Sequence, residues 1–271
     1  MLRLPALRKY DAELQRVRTE LAAARQELER LRALHEAPPD DEEWAVKAKR
    51  YEYYWAGASK KIDIRRLESF GPLAAQIVRH GRTYLNVDRL YTLWQGVQAL
   101  PPASRAVAEV GVCRGGGTRF LAEALRLHGR DLPLYACDTF DGHVAVDAAV
   151  DGKHAVGRQF AGVDVGKVAK YLSGFDNVHL LRGDVRETSA AFAAERAFGL
   201  VHVDVDVYPI TRFCLEFFAS RVLTGGTIVV DDYGTKTCPG AKKAVDEFVR
   251  ATPGFRMLHL LTAQAVLIKL G

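Results

Sequence analysis

Short apolar runs and helix-like segments alternate regularly along the chain from Ala106 onward. The helix-like segments include TRFLAEALRLHG, DVGKVAKYLSGF, TRFCLEFFASRV and AKKAVDEFVRA. The apolar runs are AVAEVGV, LYACD, VHLLRGD, LVHVDVD, TIVVDD, FRMLHLL and AVLIKL. Apolar runs of this length are typical of strands that are buried on both faces. Their alternation with helices predicts a doubly wound α/β domain with a mostly parallel sheet.

The last two apolar runs are separated by only a few residues around Thr262. A parallel crossover needs about a dozen residues or more, so these two strands should form an antiparallel hairpin. Five β/α units closed by a hairpin are the layout of class I methyltransferases, and the antiparallel strand distinguishes it from a plain Rossmann dehydrogenase. The sequence therefore predicts a Rossmann-like domain of this class, with a seven-stranded sheet, over residues 101–271.

A glycine-rich stretch, EVGVCRGGGTRFLAEAL, follows the first predicted strand and opens the first helix. Ligands of open α/β sheets bind at the carboxyl ends of strands, where glycines expose backbone N–H groups. The spacing matches neither a dinucleotide fingerprint nor a P-loop. The acid Glu109 would repel a pyrophosphate but suits an ammonium group, which favours S-adenosyl-L-methionine as the cofactor. The predicted cofactor residues of this stretch are Glu109, Gly111, Gly115, Gly116 and Thr118.

Aspartates end the second and third predicted strands, Asp138 in CDTFDGH and Asp184 in RGDVRET. An acid like Asp138 typically binds the ribose hydroxyls of a cofactor, and Asp184 lies where the adenine edge is expected. Each of these residues alone could equally be a helix N-cap, a position that favours aspartate. Three acids at successive strand ends beside a glycine loop favour the cofactor interpretation.

The fourth and fifth predicted strands also end in carboxylates, in VHVDVDVYP and TIVVDDYG. Alternation places His202, Asp204 and Asp206 on one face of the strand, where polar groups need a binding partner. Neighbouring strand ends lie about 5 Å apart, so Asp204 should converge with Asp231 and Asp232. Close carboxylates favour a hard divalent cation, Mg²⁺ before Mn²⁺ or Ca²⁺. The alternative is that Asp231 or Asp232 caps a loop and that Asp206 is solvated.

Six motifs together resemble the macrocin O-methyltransferase family: EVGVCRGGGTRFLAEAL, DTFDGH, GDVRET, HVDVDVYPITRFCLEFF, GGTIVVDDYG and CPGAKKAVDEF. The resemblance covers roughly residues 70–271, and DVDVY followed by DDYG is its most specific part. It implies a metal-dependent O-methyltransferase that acts on sugars of macrolide or aminocoumarin antibiotics. It also implies that Mg²⁺ is bound by the aspartate that ends the fourth strand and the pair that ends the fifth, which are Asp204, Asp231 and Asp232.

The expected reaction is methyl transfer from S-adenosyl-L-methionine to a hydroxyl of a small-molecule or glycan acceptor. A sugar hydroxyl is a poor nucleophile, and a chelating Mg²⁺ would lower its pKa and orient it. Asp204 and His143 are the preferred candidates for the general base, because His202 lies deeper in its strand and fits a core histidine better. The polar segment 144–160 and the stretch after Tyr233 are expected to lie above the site.

Other functions remain open on the sequence alone. A catechol-type metal-dependent O-methyltransferase would use the same fold and the same chelation, but with apolar residues around the acceptor. A non-catalytic coiled-coil scaffold with a methyltransferase-like domain is disfavoured by the intact acids. An NAD-dependent reductase is disfavoured by the glycine spacing and by the lack of a Tyr-x-x-x-Lys pair.

The N-terminal zone, residues 1–37, has a strict a/d heptad pattern formed by Leu7, Tyr10, Leu14, Val17, Leu21, Ala24, Leu28 and Leu31. In a parallel pair, glutamates at the g positions meet arginines at the e positions: Glu13, Glu20 and Glu27 against Arg18, Arg25 and Arg32. This predicts a homo-oligomer through a parallel coiled coil. The alternative is a single helix that folds back on the domain, which would need a wider apolar stripe. Residues 38–100 are expected to form a helical lead-in.

Charge and cysteine content limit the partners and the compartment. The net charge is +5 at pH 7, but basic and acidic residues are interleaved, so we expect no nucleic-acid surface. The sequence contains no apolar run long enough to span a membrane, and its first residues do not resemble a secretory signal. Its four cysteines show neither metal-binding nor disulfide spacing, which favours the cytoplasm.

Overall fold

The computed structural model describes residues 13, 15–23, 25, 69–155 and 159–271. Within this part of the chain, seven strands form one sheet in the order β3-β2-β1-β4-β5-β7-β6. The strands are β1 Ala106–Val110, β2 Leu134–Asp138, β3 Val178–Arg182, β4 Phe198–Val203, β5 Val222–Val230, β6 Phe255–His259 and β7 Ala265–Lys269. Strands β1 to β5 pair in parallel, and β7 is antiparallel to both β5 and β6. The predicted parallel sheet with its C-terminal hairpin is confirmed.

From Phe70 onward, helices flank this sheet. They are α1 Phe70–His80, α2 Val87–Gln98, α3 Gly116–Leu127, α4 Val165–Leu172, α5 Val185–Thr188, α6 Tyr208–Ala219 and α7 Pro239–Ala251, with 3₁₀ turns at Gly152–Ala155 and Ser189–Phe192. Local sequence explains several of their starts. A proline lies in the first turn of both α6 and α7, where its missing N–H costs nothing. Asp164 caps α4 by accepting a hydrogen bond from the Lys167 amide.

Alternate residues of β1 point into two hydrophobic cores on opposite faces of the sheet. Val107 packs with α1, α2 and α3. Ala106, Ala108 and Val110 pack with α6 and α7. Both faces of the central strands are therefore covered, which explains why these strands are almost continuously apolar.

The register of the sheet aligns the ends of the central strands. Val203 of β4 lies opposite Val110 of β1 and Val230 of β5. Past these residues, the Asp204 amide donates to the Val110 carbonyl at 2.8 Å, and the Asp231 amide donates to the Val203 carbonyl at 2.9 Å. The residues that follow β1, β4 and β5 therefore meet at one edge of the sheet.

Only a small part of the predicted N-terminal coiled coil is described. Residues 15–23 are helical, and their heptad residues Val17 and Leu21 are each about half exposed. The rest of the heptad pattern lies outside the described residues. Among the described residues, no helix combines the length and the apolar character needed to cross a membrane.

Candidate functional site

A cavity of about 340 Å³ opens at the carboxyl edge of the parallel strands, where ligands of α/β sheets bind. Eight of the residues singled out from the sequence line it: Gly111, Asp138, His143, Asp184, Asp204, Asp206, Asp231 and Asp232. Apolar and aromatic side chains, among them Tyr84, Leu85, Val144, Phe160 and Ile210, line the rest together with Arg89. An apolar cavity with a few converging polar groups is the usual form of a small-molecule site.

The glycine loop between β1 and α3 packs tightly against neighbouring backbone. Gly111 has a φ of 102°, and a Cβ there would overlap the Asp204 carbonyl oxygen. Gly115 has a φ of 88° and precedes the first residue of α3. The Gly116 amide donates to the Arg82 carbonyl at 3.1 Å. Gly115 and Gly116 do not line the cavity, so they shape the loop while Gly111 forms the wall.

Glu109 lies behind the cavity wall. Its side chain is buried in the sheet, where one carboxylate oxygen accepts a hydrogen bond from the Thr118 hydroxyl. The other oxygen lies 3.0 Å from His202 Nδ1, because β1 and β4 pair these two residues directly. The structure therefore does not bring Glu109 and Thr118 to the cavity surface, and direct contact of Glu109 with an ammonium group stays a prediction.

Asp138 ends β2 and holds two loops together. One carboxylate oxygen accepts from the Cys113 amide at 2.7 Å, and the other accepts from the Phe140 amide at 2.7 Å. No helix begins at Asp138, so the N-cap alternative is wrong for this residue. Each oxygen keeps a free lone pair next to the cavity, which suits hydrogen bonds from a ligand's hydroxyl groups.

Asp184 does cap a helix. It precedes α5 and accepts from the Arg186 amide at 2.9 Å, and the Arg186 guanidinium donates to both carboxylate oxygens. Partial burial opposes ionisation, but the hydrogen bonds from Arg186 outweigh it and lower the pKa of Asp184. Asp184 also lines the cavity, so the capping role and a ligand contact coexist.

Asp204, Asp231 and Asp232, which we call the carboxylate trio, converge as predicted from the strand ends. Each offers an oxygen within 4.8 Å of the others. Burial, followed by the charges of Asp231 and Asp232, raises the pKa of Asp204 well above its usual value. Burial and the neighbouring carboxylates Asp206 and Asp231 raise the pKa of Asp232 to about 7. This concentration of negative charge makes a cation favourable at the trio.

Arg89 from α2 is a member of this site that the sequence did not reveal. Its guanidinium pairs with the Asp231 carboxylate and lies 3.3 Å from Asp232 Oδ1. It also donates to the Thr262 carbonyl at 3.0 Å. Burial disfavours its charge, but the three aspartates of the trio more than compensate and raise the pKa of Arg89. No motif marks an arginine on a helix that precedes the first strand, and only its position in the fold identifies it.

His202 lies in the core below the trio, as the sequence interpretation favoured. It is fully buried, with Nδ1 facing Glu109 and Nε2 3.5 Å from Asp231 Oδ1. Burial lowers its pKa, but contacts with Asp231 and Glu109 outweigh burial and raise the pKa to about 10. The two carboxylates therefore favour the charged form of His202.

Asp206 does not continue the alternation of β4, contrary to the sequence prediction. Strand β4 ends at Val203, and Asp206 has a φ of 60°, which turns its side chain away from the strand. Asp206 accepts a hydrogen bond from the Cys238 thiol at 3.2 Å and lies 3.4 Å from His143 Nε2. It is therefore not the freely solvated aspartate that was the alternative.

The segment 144–160 lines the cavity with apolar rather than polar residues. Its cavity-lining members are Val144 and Phe160, and the Phe160 ring meets Tyr84 edge-to-face at 5.5 Å. Its polar residue Asp151 is instead fully buried and accepts from the Tyr208 amide at 2.7 Å. The described residues of this segment that line the cavity are therefore apolar, and the polar surface above the site stays a prediction.

Comparison with known sequences places this site in a family. A family model described as Macrocin-O-methyltransferase (TylF) matches residues 84–258. The chain is 29% identical over 147 residues to 8-demethyl-8-(2,3-dimethoxy-alpha-L-rhamnosyl)-tetracenomycin-C 4'-O-methyltransferase of Streptomyces olivaceus, covering 50% of this chain and 55% of the relative. It is 32% identical over 181 residues to demethyldecarbamoylnovobiocin O-methyltransferase of Streptomyces niveus, covering 62% of this chain and 68% of the relative. The match to the first relative thus spans about half of that protein.

Solved structures share the fold. The O-methyltransferase NovP superposes with a TM-score of 0.58 at 20% identity, covering 84% of this chain and 99% of NovP. The calicheamicin methyltransferase CalS11 superposes with a TM-score of 0.57 at 22% identity, covering 84% of this chain and 93% of CalS11. These similarities establish the class I methyltransferase fold. With its family model matched over well more than half of its length, the chain belongs to the macrocin O-methyltransferase family.

Proposed function

We propose that the protein transfers a methyl group from S-adenosyl-L-methionine to a hydroxyl of a sugar or sugar-containing metabolite, with the help of Mg²⁺. The observation that carries this proposal is the convergence of the carboxylate trio in the same cavity as Gly111, Asp138 and Asp184. The names of the two relatives describe O-methyltransferases of a rhamnosyl tetracenomycin and of a novobiocin precursor, which supports a glycosylated acceptor.

The cofactor side of the cavity fits an adenosyl group. S-adenosyl-L-methionine supplies the methyl group as a sulfonium substituent. Asp138 offers free carboxylate lone pairs for the ribose hydroxyls, and its bonds to the loops on both sides keep it in place. Gly111 lets a ligand approach the backbone of the loop after β1. Asp184 lies across the cavity at the end of β3, where we expect the adenine edge.

The trio fits a hard divalent cation by its donor chemistry. All three donors are carboxylate oxygens, which Mg²⁺ prefers. Burial and the neighbouring carboxylates raise the pKa values of Asp204 and Asp232 even with Arg89 nearby, which favours a further cation at the trio. Bound there, Mg²⁺ would lower the pKa of a chelated acceptor hydroxyl. Asp204, Asp231 and Asp232 would hold the ion, and Arg89 would have to loosen its contact with Asp231 and Asp232 to admit it.

His143 is well placed to accept the proton of the acceptor hydroxyl. It lines the cavity, and its Nε2 lies 3.4 Å from the Asp206 carboxylate, which would stabilise the imidazolium once the proton has transferred. Asp204, the other candidate, would be occupied as an ion ligand. We therefore assign the role of general base to His143 and that of supporting carboxylate to Asp206.

The apolar residues of the cavity also suit a second class of acceptor, the catechols. Tyr84, Val144 and Phe160 line the cavity and are partly exposed, and such residues suit a flat catechol as well as the aromatic part of a glycoside. A catechol-type O-methyltransferase would use the same trio and the same cofactor residues. The acceptor test below separates the two classes.

The test offers the purified full chain S-adenosyl-L-methionine with a labelled methyl group, and aromatic glycosides or catechols as acceptors. We expect labelled glycoside in the presence of Mg²⁺ and none in excess chelator. Asp231→Asn should lower kcat/KM roughly 100-fold or more, a loss of about 2.7 kcal/mol in transition-state stabilisation. Asp131→Asn, on an exposed loop residue, is the matched control and should leave kcat/KM unchanged. Methylation of catechols alone would reject the sugar assignment, and full activity in chelator would reject the metal.

A further inference from the structure

A second group of potential metal ligands lies next to the carboxylate trio. It consists of His143, His154, Asp206 and Cys238, which we call the His–Cys cluster. The four residues come from the loop after β2, the 3₁₀ turn Gly152–Ala155, the turn after β4 and the residue before α7. His154 and Cys238 are each 3% exposed, and the His143 side chain is 9% exposed. The ligand atoms of the cluster therefore lie largely inside the fold.

Three distances between ligand atoms of the His–Cys cluster fall near the edge lengths of a metal coordination tetrahedron. Cys238 Sγ lies 3.5 Å from His154 Nε2 and 3.2 Å from Asp206 Oδ1. Asp206 Oδ2 lies 3.4 Å from His143 Nε2. Bonds of about 2.0–2.3 Å from zinc to nitrogen, oxygen and sulfur give tetrahedral edges of about 3.3–3.6 Å. His143, His154 and Asp206 also satisfy the mutual spacing of a metal-ligand set.

Hydrogen bonding alone does not account for the cluster. The Cys238 thiol donates to Asp206, and His154 Nε2 lies 2.9 Å from the Thr237 carbonyl oxygen. These contacts leave His143 Nε2 buried without a hydrogen-bond partner. A buried nitrogen without a partner costs free energy. His143 Nε2 faces the Asp206 carboxylate, and an ion between them would satisfy both groups.

We propose that the His–Cys cluster binds a borderline-soft divalent cation, Zn²⁺, with ligands of its own, at a site that adjoins the carboxylate trio through Asp232. Two imidazoles, one thiolate and one carboxylate are a zinc ligand set, whereas Mg²⁺ prefers oxygen alone. Ion binding requires that the Cys238 thiol loses its proton to solvent and that the His154 proton moves from Nε2 to Nδ1. The contact between His154 and Thr237 is then given up, and the bond to the ion replaces it.

Zinc at this site would also occupy His143, the proposed general base. The zinc site itself does not depend on the proposed methyl transfer, since it rests on the four ligands alone. Binding is therefore measured without cofactor or acceptor, so failure of one proposal leaves the other standing.

The experiment titrates the full chain with Co²⁺, a spectroscopic substitute for zinc, in the presence of Mg²⁺. We expect a thiolate-to-cobalt charge-transfer band in the near ultraviolet together with the intense visible bands of a tetrahedral ion. Zn²⁺ should abolish these bands by displacement. Titration calorimetry with Zn²⁺ alone gives the affinity, and the midpoint of thermal unfolding should rise as Zn²⁺ is added.

Three variants assign the ion to its ligands. Cys238→Ser should remove the charge-transfer band, and His154→Gln should weaken zinc binding by at least about tenfold, the loss caused even by removal of a residue that supports a ligand. Asp231→Asn, which alters only the carboxylate trio, should keep the band. No band in the unmodified protein would overturn the proposal. A band that survives Cys238→Ser would come from another thiol such as Cys113 and would overturn it as well.

Discussion

Arg89 places a positive charge against two aspartates that would otherwise repel each other. Replacement by alanine leaves Asp231 and Asp232 close together without the guanidinium, and only His202 remains beside Asp231 as a positive charge. We expect Arg89→Ala to lower the free energy of unfolding in chelator by up to about 3–5 kcal/mol, the cost of breaking a buried ion pair from one side. Urea denaturation followed by circular dichroism measures this loss.

A divalent cation should substitute for the missing guanidinium. With Mg²⁺ present, the deficit of Arg89→Ala should shrink, because the ion stabilises the folded state in proportion to its binding. Arg89→Lys keeps the charge but not the planar guanidinium. In chelator, its free energy of unfolding should therefore lie between those of the unmodified protein and Arg89→Ala. An equal deficit with and without Mg²⁺ would mean that no cation binds where Arg89 now acts.

His202 should make the free energy of unfolding decrease as the pH rises above neutrality. Its pKa is about 10 in the folded protein and about 6.5 in an unfolded chain. The contribution is complete below about pH 6.5 and is lost as the pH rises to about 10. We expect the free energy of unfolding of the metal-free protein to fall across this window by up to about 1.4 kcal/mol per pH unit.

Denaturation at a series of pH values checks this dependence. His202→Gln should flatten the profile, while His179→Gln, on an exposed histidine of β3, should leave the slope unchanged. The same slope in all three proteins would show that His202 is not charged in the fold.

Sequence reasoning identified the aspartates of the trio but not their partners. Asp204, Asp231 and Asp232 stand directly after strands, where adjacent parallel strands must bring them together. The contact with Arg89 depends on how α2 packs on the sheet, and no local pattern records it. Asp206 was assigned to the strand because its alternation continues in sequence, yet a left-handed backbone conformation turns it toward Cys238.

Among the structural elements, the loop between β1 and α3 depends on Asp138 at the end of β2. We expect Asp138→Ala to weaken S-adenosyl-L-methionine binding by a few kcal/mol at most, the scale of charge-assisted hydrogen bonds. The loss includes the anchor of the Cys113 amide, so part of it reflects loop disorder. Titration calorimetry with the cofactor measures this loss of binding free energy. The loss should be the same with and without chelator.

Asp138→Asn separates the two contributions. Its amide oxygen can still accept one backbone hydrogen bond, but the second acceptor becomes a donor. An affinity equal to that of the unmodified protein would show that the carboxylate makes no contact with the cofactor.

The elements themselves were predictable because their signals are local. Buried strands give apolar runs, helices give amphipathic segments, and the short link around Thr262 forces the antiparallel β6–β7 hairpin. Strand β5 begins earlier than its apolar run, at Val222, which pairs with Phe198 of β4. The register then shifts, so that Thr227 pairs with Leu200 and the residues LTGG between them form an irregularity in the strand. Such an extension depends on pairing with β4 and cannot be seen in the composition of the segment.

At the scale of the whole molecule, the division into residues 1–37, 38–100 and 101–271 remains a proposal. Within the described part of the middle zone, α1 and α2 share a core with Val107, Leu200 and Val229 of the sheet. We therefore expect that a chain starting at Asp40 folds with its sheet intact.

Self-association should depend on the first zone. Val17 and Leu21 occupy heptad positions on a described helix. Light scattering of the full chain against the chain starting at Asp40 should show an oligomer only for the former. Equal masses for the two would assign the heptads to a helix that folds back on the domain.

The contact between Gly111 and the Asp204 carbonyl has a thermodynamic consequence. It joins the wall of the cofactor region to the backbone of a trio member, so a ligand that orders one also orders the other. Affinities of the cofactor and the divalent ion should then rise together, each by the same factor, because coupling between two sites is reciprocal. Titration calorimetry measures the affinity of each ligand in the absence and in the presence of the other. If neither affinity changes, the two sites are not coupled.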